Sequence, residues 1–134
     1  MALSFGKASF SPIRGLTWSE EITVLQGRNG PPVDLTGKTC AMNVRTKIGA
    51  EDVVMMLDED NGRLVVEDAE NGKVRLLVTA DEMLEFPESS YRKAKYVYDA
   101  IVITPATGGD AEVREPIIGG KVTVKHAVTR PWEA

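Results

Sequence analysis

The sequence predicts an all-β fold, an immunoglobulin-like antiparallel β-sandwich with one short connecting helix. Short apolar segments alternate with period two, turn residues recur between them, and almost no stretch has helical periodicity. Strands are expected near residues 18–25, 39–47, 53–57, 63–66, 73–78, 95–104, 112–118 and 121–125. In 39–47, Cys40, Met42 and Val44 form an apolar set against Asn43, Arg45 and Lys47. In 73–78, Val74, Leu76 and Val78 stand opposite Lys73 and Arg75, and in the last strand Val122 and Val124 oppose Lys121, Thr123 and Lys125. This alternation sends one set of side chains inward and the other toward water.

The connections follow from turn chemistry. Asn29-Gly30, followed by Pro31-Pro32, breaks the chain after the first strand, and Gly108-Gly109-Asp110 breaks it late. Asn61-Gly62 and Asn71-Gly72 lie between apolar runs and predict hairpins with type I′ turns, in which both central residues take positive φ. Thr79 and Glu82 form a capping box, and Pro87 stops the segment soon after. A short helix over 80–85 is therefore expected to carry the chain from one sheet to the other.

A chain of 134 residues with 43% hydrophobic and 27% charged residues makes one domain with a core of its own. It divides into an N-terminal arm (1–14), a sandwich (15–130) and a C-terminal tail (131–134). The arm mixes Leu3, Phe5, Phe10 and Ile13 with Ser, Gly and Pro. Either it extends and buries these four side chains on a neighbour, or it folds along its own sandwich. In the extended reading, residues 1–13 are dispensable for folding. Trp18 and Trp132, near the two ends, join the four as docking candidates.

Several function classes lose their support at this level. The net charge is −4, and the 16 Lys and Arg form no dense run, which argues against nucleic-acid binding. The longest apolar runs are too short for a membrane-crossing helix, and the first residues lack a signal-peptide pattern. A single cysteine, Cys40, leaves no internal disulfide and no cysteine-based zinc site, as in a chain made in a reducing cytoplasm.

No catalytic set is legible, and no cofactor is expected. His126 is the only histidine, and no Gly-x-Ser-x-Gly elbow accompanies it, so it reads as a surface or interface residue. The run from Asp58 to Gly62 resembles a calcium loop, but the sixth and twelfth positions hold Arg63 and Ala69 where glycine and an acid are required. Asp58, Asp60 and Asp68 read better as a solvated acidic tip than as an irregular cation site. Neither Gly27 to Gly30 nor Gly119-Gly120-Lys121 leads into a helix that would hold a phosphate. In 95–104, Tyr96, Tyr98, Ala100 and Val102 share one face, and Val97, Asp99, Ile101 and Ile103 share the other. Tyr96 and Tyr98 are half-buried core residues or, in an alternative reading, a stacking platform for a glycan. Asp99, a carboxylate on an apolar face, needs a partner, and Arg14, Arg45 and Lys47 have the right charge.

Several motifs in order carry a family resemblance. Arg14-Gly15-Leu16-Thr17-Trp18 opens the first strand; Asp34-Leu35-Thr36-Gly37 precedes Met42-Asn43-Val44-Arg45. Leu77-Val78-Thr79-Ala80-Asp81, Tyr96-Val97-Tyr98-Asp99 and the closing Gly120-Lys121-Val122-Thr123-Val124 with Val128-Thr129-Arg130 follow. Over about 14–130 this resembles the small immunoglobulin-like domains of tailed-phage and prophage structural proteins, such as the N-terminal domain of the baseplate upper protein family. The motifs are structural and carry no active site. The resemblance implies a standalone virion protein, made in the bacterial host cytoplasm, in the tail, baseplate or tail-fibre attachment region. Its partners would be other virion proteins, with copies arranged in a symmetric homo-oligomeric ring. A carbohydrate-binding module for host attachment and a capsid decoration protein are the alternatives.

Overall fold

The computed structural model describes residues 3–6, 9–47, 49–87, 93–106 and 108–126. Trp132 and the Val128-Thr129-Arg130 end lie outside them. Eleven strands form two sheets packed as a sandwich. The smaller sheet holds β4 (Trp18–Thr23), β8 (Leu64–Asp68) and β9 (Lys73–Val78) in the order β4-β9-β8. The larger sheet is built around β10 (Lys93–Thr104) and β11 (Val113–His126), antiparallel neighbours paired from Lys93↔Lys125 to Thr104↔Val113. On the far side of β10 come β6 (Thr39–Arg45) and then β7 (Met55–Leu57).

Beside β11 lies the N-terminal segment. Strands β1 (Leu3–Ser4), β2 (Ser9–Phe10) and β3 (Ile13–Arg14) each pair with it in parallel, and β5 (Leu25–Gln26) pairs with β1. The arm is therefore folded along its own sandwich, and the extended reading is corrected. Leu3, Phe5 and Phe10 are buried in the core of their own chain, as is Trp18. The physical reason is aromatic packing. The Phe10 ring lies 5.4 Å from Tyr98 and edge-on to Trp18 at 5.7 Å, while Phe5 stacks on Tyr98 at 6.1 Å. Only Ile13 of the four arm side chains reaches the surface.

The alternation expected along the strands is met by inward Cys40, Met42 and Val44 on β6, Val74, Leu76 and Val78 on β9, and Val122 and Val124 on β11. Tyr96, Tyr98, Ala100 and Val102 of β10 also face the core. Three connections differ from expectation. The two segments 112–118 and 121–125 are one strand, continuous through a β-bulge at Ile118-Gly119. Tyr98 pairs with Gly120 and Ala100 with Ile117, so one extra residue of β11 is taken up opposite Asp99. A Cβ on Gly119 would sit 2.3 Å from the Tyr98 carbonyl oxygen, which leaves room for glycine alone.

Asn61-Gly62 joins β7 to β8, which lie in different sheets, so it is a crossing and not a hairpin. Asn61 serves it through its side chain, accepting from the Asp58 and Arg63 amides and donating to the Met56 carbonyl. Asn71-Gly72 does close the β8–β9 hairpin, by a 3-10 turn at Ala69–Asn71. Gly72 takes φ 66° and no non-glycine residue among those described takes positive φ, so the turn is not type I′. A Cβ at Gly72 would also meet the Val33 carbonyl oxygen at 2.7 Å.

The capping box forms as expected. The Glu82 amide donates to Thr79 Oγ1 (3.2 Å), and the Thr79 amide donates to Glu82 Oε1 (3.0 Å). The helix it starts is a single 3-10 turn, Glu82–Glu85, which crosses from the smaller sheet to the larger one. Arg63 clamps that turn, donating to Glu82 Oε2 (2.8 Å) and Glu85 Oε2. The Thr79 amide and the Arg63 guanidinium hold the Glu82 carboxyl below its usual range. Arg14 reaches the end of the same turn and donates to the Phe86 carbonyl (2.7 Å).

Two outcomes follow from this packing. Deleting residues 1–13 exposes the Tyr98 and Trp18 side of the core and removes two phenylalanines worth roughly 2–3 kcal/mol each when buried. The truncated chain is expected to lose its cooperative thermal transition by circular dichroism; a transition retained near the full-length temperature would contradict the assignment. Gly119→Val is expected to cost more than about 2 kcal/mol in urea unfolding, because a β-carbon cannot fit against the β10 backbone.

Candidate functional site

The outward face of the larger sheet carries a groove of about 700 Å³. Its lining comes from three elements. β10 contributes Val97 and Asp99, β11 contributes Gly119, Gly120 and Lys121, and the β6–β7 connection contributes Gly49 and Ala50 beside Arg45. The bulge contributes to the floor, where Gly119 and Gly120 of β11 line the groove beside Asp99. The wall is held by Arg45, whose Nη1 donates to the Ala50 (2.9 Å) and Glu51 (3.0 Å) carbonyls. These two bonds draw the 46–51 connection over the edge of the sheet.

Asp99 lies in the groove with its side chain 69% exposed, and its Oδ2 is 3.9 Å from Arg45 Nε. The expectation of a buried carboxylate is thus corrected: Asp99 belongs to the outward set of β10, with Val97 and Ile101, so its side chain meets solvent, where water supplies its hydrogen bonds. Of the three cations suggested for it, Arg45 is the one the structure places beside it, while Arg14 is engaged with Phe86. At this exposure the ion pair is worth well under about 1 kcal/mol. The groove therefore combines two cations (Arg45 and Lys121), one carboxylate and exposed backbone, a set suited to polar docking.

The other candidates fall elsewhere. Tyr96 and Tyr98 are 6% and 4% exposed, so neither offers a ring face to a sugar, and the stacking platform is corrected to core packing. Burial pushes the Tyr98 hydroxyl up to about 12, and the Cys40 thiol likewise up to about 12. A thiol so far from ionisation is no nucleophile at neutral pH. Leu3, Phe5, Phe10 and Trp18 are likewise withdrawn as docking side chains by their burial. A second, smaller hollow of about 350 Å³ lies between Pro12, Ile13, Leu16 and Trp18, where Ile13 and Leu16 are among the exposed large apolar residues.

His126 ends β11 opposite Arg14 of β3, and its Nε2 is shielded from solvent with no hydrogen-bond partner among the described residues. Asp58 and Asn61 bond each other across the acidic tip, and among the described residues no three His, Cys, Asp or Glu side chains gather as a metal site. In the Asp34-Leu35-Thr36-Gly37 turn, the Thr36 amide and hydroxyl both donate to Asp34 Oδ1 (2.9 and 2.6 Å), which holds that carboxyl below its usual range. Leu35 between them is fully buried, so the motif anchors a turn into the core. The groove is not legible in the sequence because 112–118 and 121–125 read there as separate strands; its one usable signal is two glycines beside β-branched residues inside an alternating run. No family model and no curated protein matches this chain.

Arg45→Ala is expected to release the 46–51 connection without unfolding the sandwich. Limited proteolysis should then cut within residues 46–54 at least about tenfold faster, with the melting temperature lowered by only a few degrees. Unchanged cleavage would mean that the wall stands without the guanidinium.

Proposed function

We propose that this chain is a non-enzymatic structural protein of a tailed-bacteriophage virion, an immunoglobulin-like docking domain of the tail, baseplate or tail-fibre attachment region. The observation that carries the reading is the strand order. A three-strand sheet β4-β9-β8 facing β11-β10-β6-β7 follows the B-E-D and G-F-C-C′ arrangement of immunoglobulin-like sandwiches. The motifs behind the family resemblance also have the structural duties such a domain requires: the Asp34–Gly37 turn seats Leu35, and the Tyr96–Asp99 strand supplies two core rings.

Docking in this reading uses the outward face of the larger sheet, where Ile101 and Ala41 form a half-buried apolar row beside the exposed Pro116 and the charged groove. The outward face of the smaller sheet instead carries Glu21, Lys73, Arg75 and Glu67, a mixed and well-solvated set. Partners are other virion proteins and further copies of the chain; a capsid decoration protein would use the same chemistry at another place in the particle. Peptide mass spectrometry of washed, purified virions of the encoding phage or induced prophage tests this. The chain should be recovered at a fixed ratio to the tail proteins. Its presence in the lysate with absence from the particles would contradict the proposal.

A further inference from the structure

Charge is segregated along the larger sheet in a way that a linear scan hides. At one end of its outward face stand Arg45 and Lys47 of the β6 end, Lys93 and Lys95 of β10, and Lys121 and Lys125 of β11. Register brings them together: Val97 pairs with both Arg45 and Lys121, and Lys93 lies directly opposite Lys125. Like charges facing each other across a strand pair are unfavourable, and among the described residues Asp99 and, in the adjoining connection, Glu51 and Asp52 are the acids beside them. The groove opens within this basic end.

The opposite end of the same sheet is acidic. There the β10–β11 hairpin tip carries Asp110, Glu112 and Glu115, with Arg114 donating to Glu112 (2.9 Å) in an exposed pair that another cation can join, and the β7–β8 turn adds Asp58, Glu59 and Asp60. Gly108, Gly109, Asp110, Ala111 and Glu112 are all exposed. One molecule thus presents a basic groove at one end and an exposed acidic loop at the other.

We infer that the occupant of the groove is the acidic hairpin tip of a second copy of this chain. Asp110 and Glu112 of one copy meet Lys121 and Lys95 of the next, with the glycine floor admitting the tip close to the β11 backbone. Because the two surfaces differ, the contact is heterologous, and repeating it builds a ring or a filament according to the rotation between copies. This deepens the docking reading, on which it rests, by naming the partner of the groove. It is tested on the purified chain, so its failure leaves the virion assignment to be decided by the particle analysis.

The test uses sedimentation of the full chain and two charge-reversed variants at low salt (about 10 mM) and high salt (about 1 M), conditions that lengthen or remove the reach of surface charge. Wild type should self-associate at low salt and weaken at least about tenfold at high salt. The variant Lys95→Glu with Lys121→Glu and the variant Asp110→Lys with Glu112→Lys should each stay monomeric. Mixed together, they should associate, since one now carries acids at both ends and the other carries bases at both ends. A wild-type chain that stays monomeric at low salt would overturn the inference, as would association indifferent to reversal or variants that fail to recombine. Retention of duplex DNA lost in Lys95→Glu with Lys121→Glu would instead assign the basic end to nucleic acid.

Discussion

A cluster of aromatic rings ties the first segment of the chain to both sheets, and the rest of the structure depends on it. Phe10 packs at once on Tyr98 of the larger sheet and Trp18 of the smaller one, and Phe5 covers the other side of Tyr98. Aromatic pairs at these separations add about 0.5–1.5 kcal/mol each beyond the area they bury. The contact closes the sandwich along the β11 side by holding β2 and β3 in place, whose parallel pairing covers an otherwise open β11 edge. Trp18 is kept in place by its own polar handle, with Nε1 donating to Glu20 Oε2 at 2.7 Å. A second closure is made by the crossing turn, where Phe86 packs on Tyr96 at 5.3 Å and Arg14 of β3 holds its carbonyl.

With both closures made, the β10–β11 pair can tolerate an irregularity in its middle. The bulge at Gly119 lies opposite the outward Asp99, and beyond it Lys121 stands level with Arg45 across Val97. Structure and surface chemistry are linked here through one backbone feature: the residue type demanded by the close approach to Tyr98 is also the one that leaves the groove without a filling side chain. The loop wall then needs only a single guanidinium, because the Arg45 side chain satisfies two carbonyls that would otherwise face solvent.

Much of the sandwich was legible from residue order alone. Period-two alternation assigned the inward sets of β6, β9, β10 and β11, since burial of one face dictates it. The Thr79–Glu82 box was legible because capping is local chemistry. What escaped were features decided by distant partners. Whether Leu3, Phe5 and Phe10 face a neighbour or their own chain depends on the Tyr98 and Trp18 rings, remote in sequence. Asp99 looked buried because its strand face is apolar, yet that face turned out to be the outward one. The basic end of the sheet gathers Arg45, Lys93, Lys95, Lys121 and Lys125 from three strands separated in sequence, so no run betrays it.

The central claim is that the N-terminal segment is a member of the core and unfolds only with it. Native-state hydrogen exchange measured residue by residue is the most direct test. The Phe10 amide should exchange with the same free energy and the same denaturant dependence as the amides of Tyr98 and Val122, all reporting global unfolding. Exchange at Phe10 several kcal/mol easier than at Tyr98, with little denaturant dependence, would show a segment that opens by itself and would contradict the account.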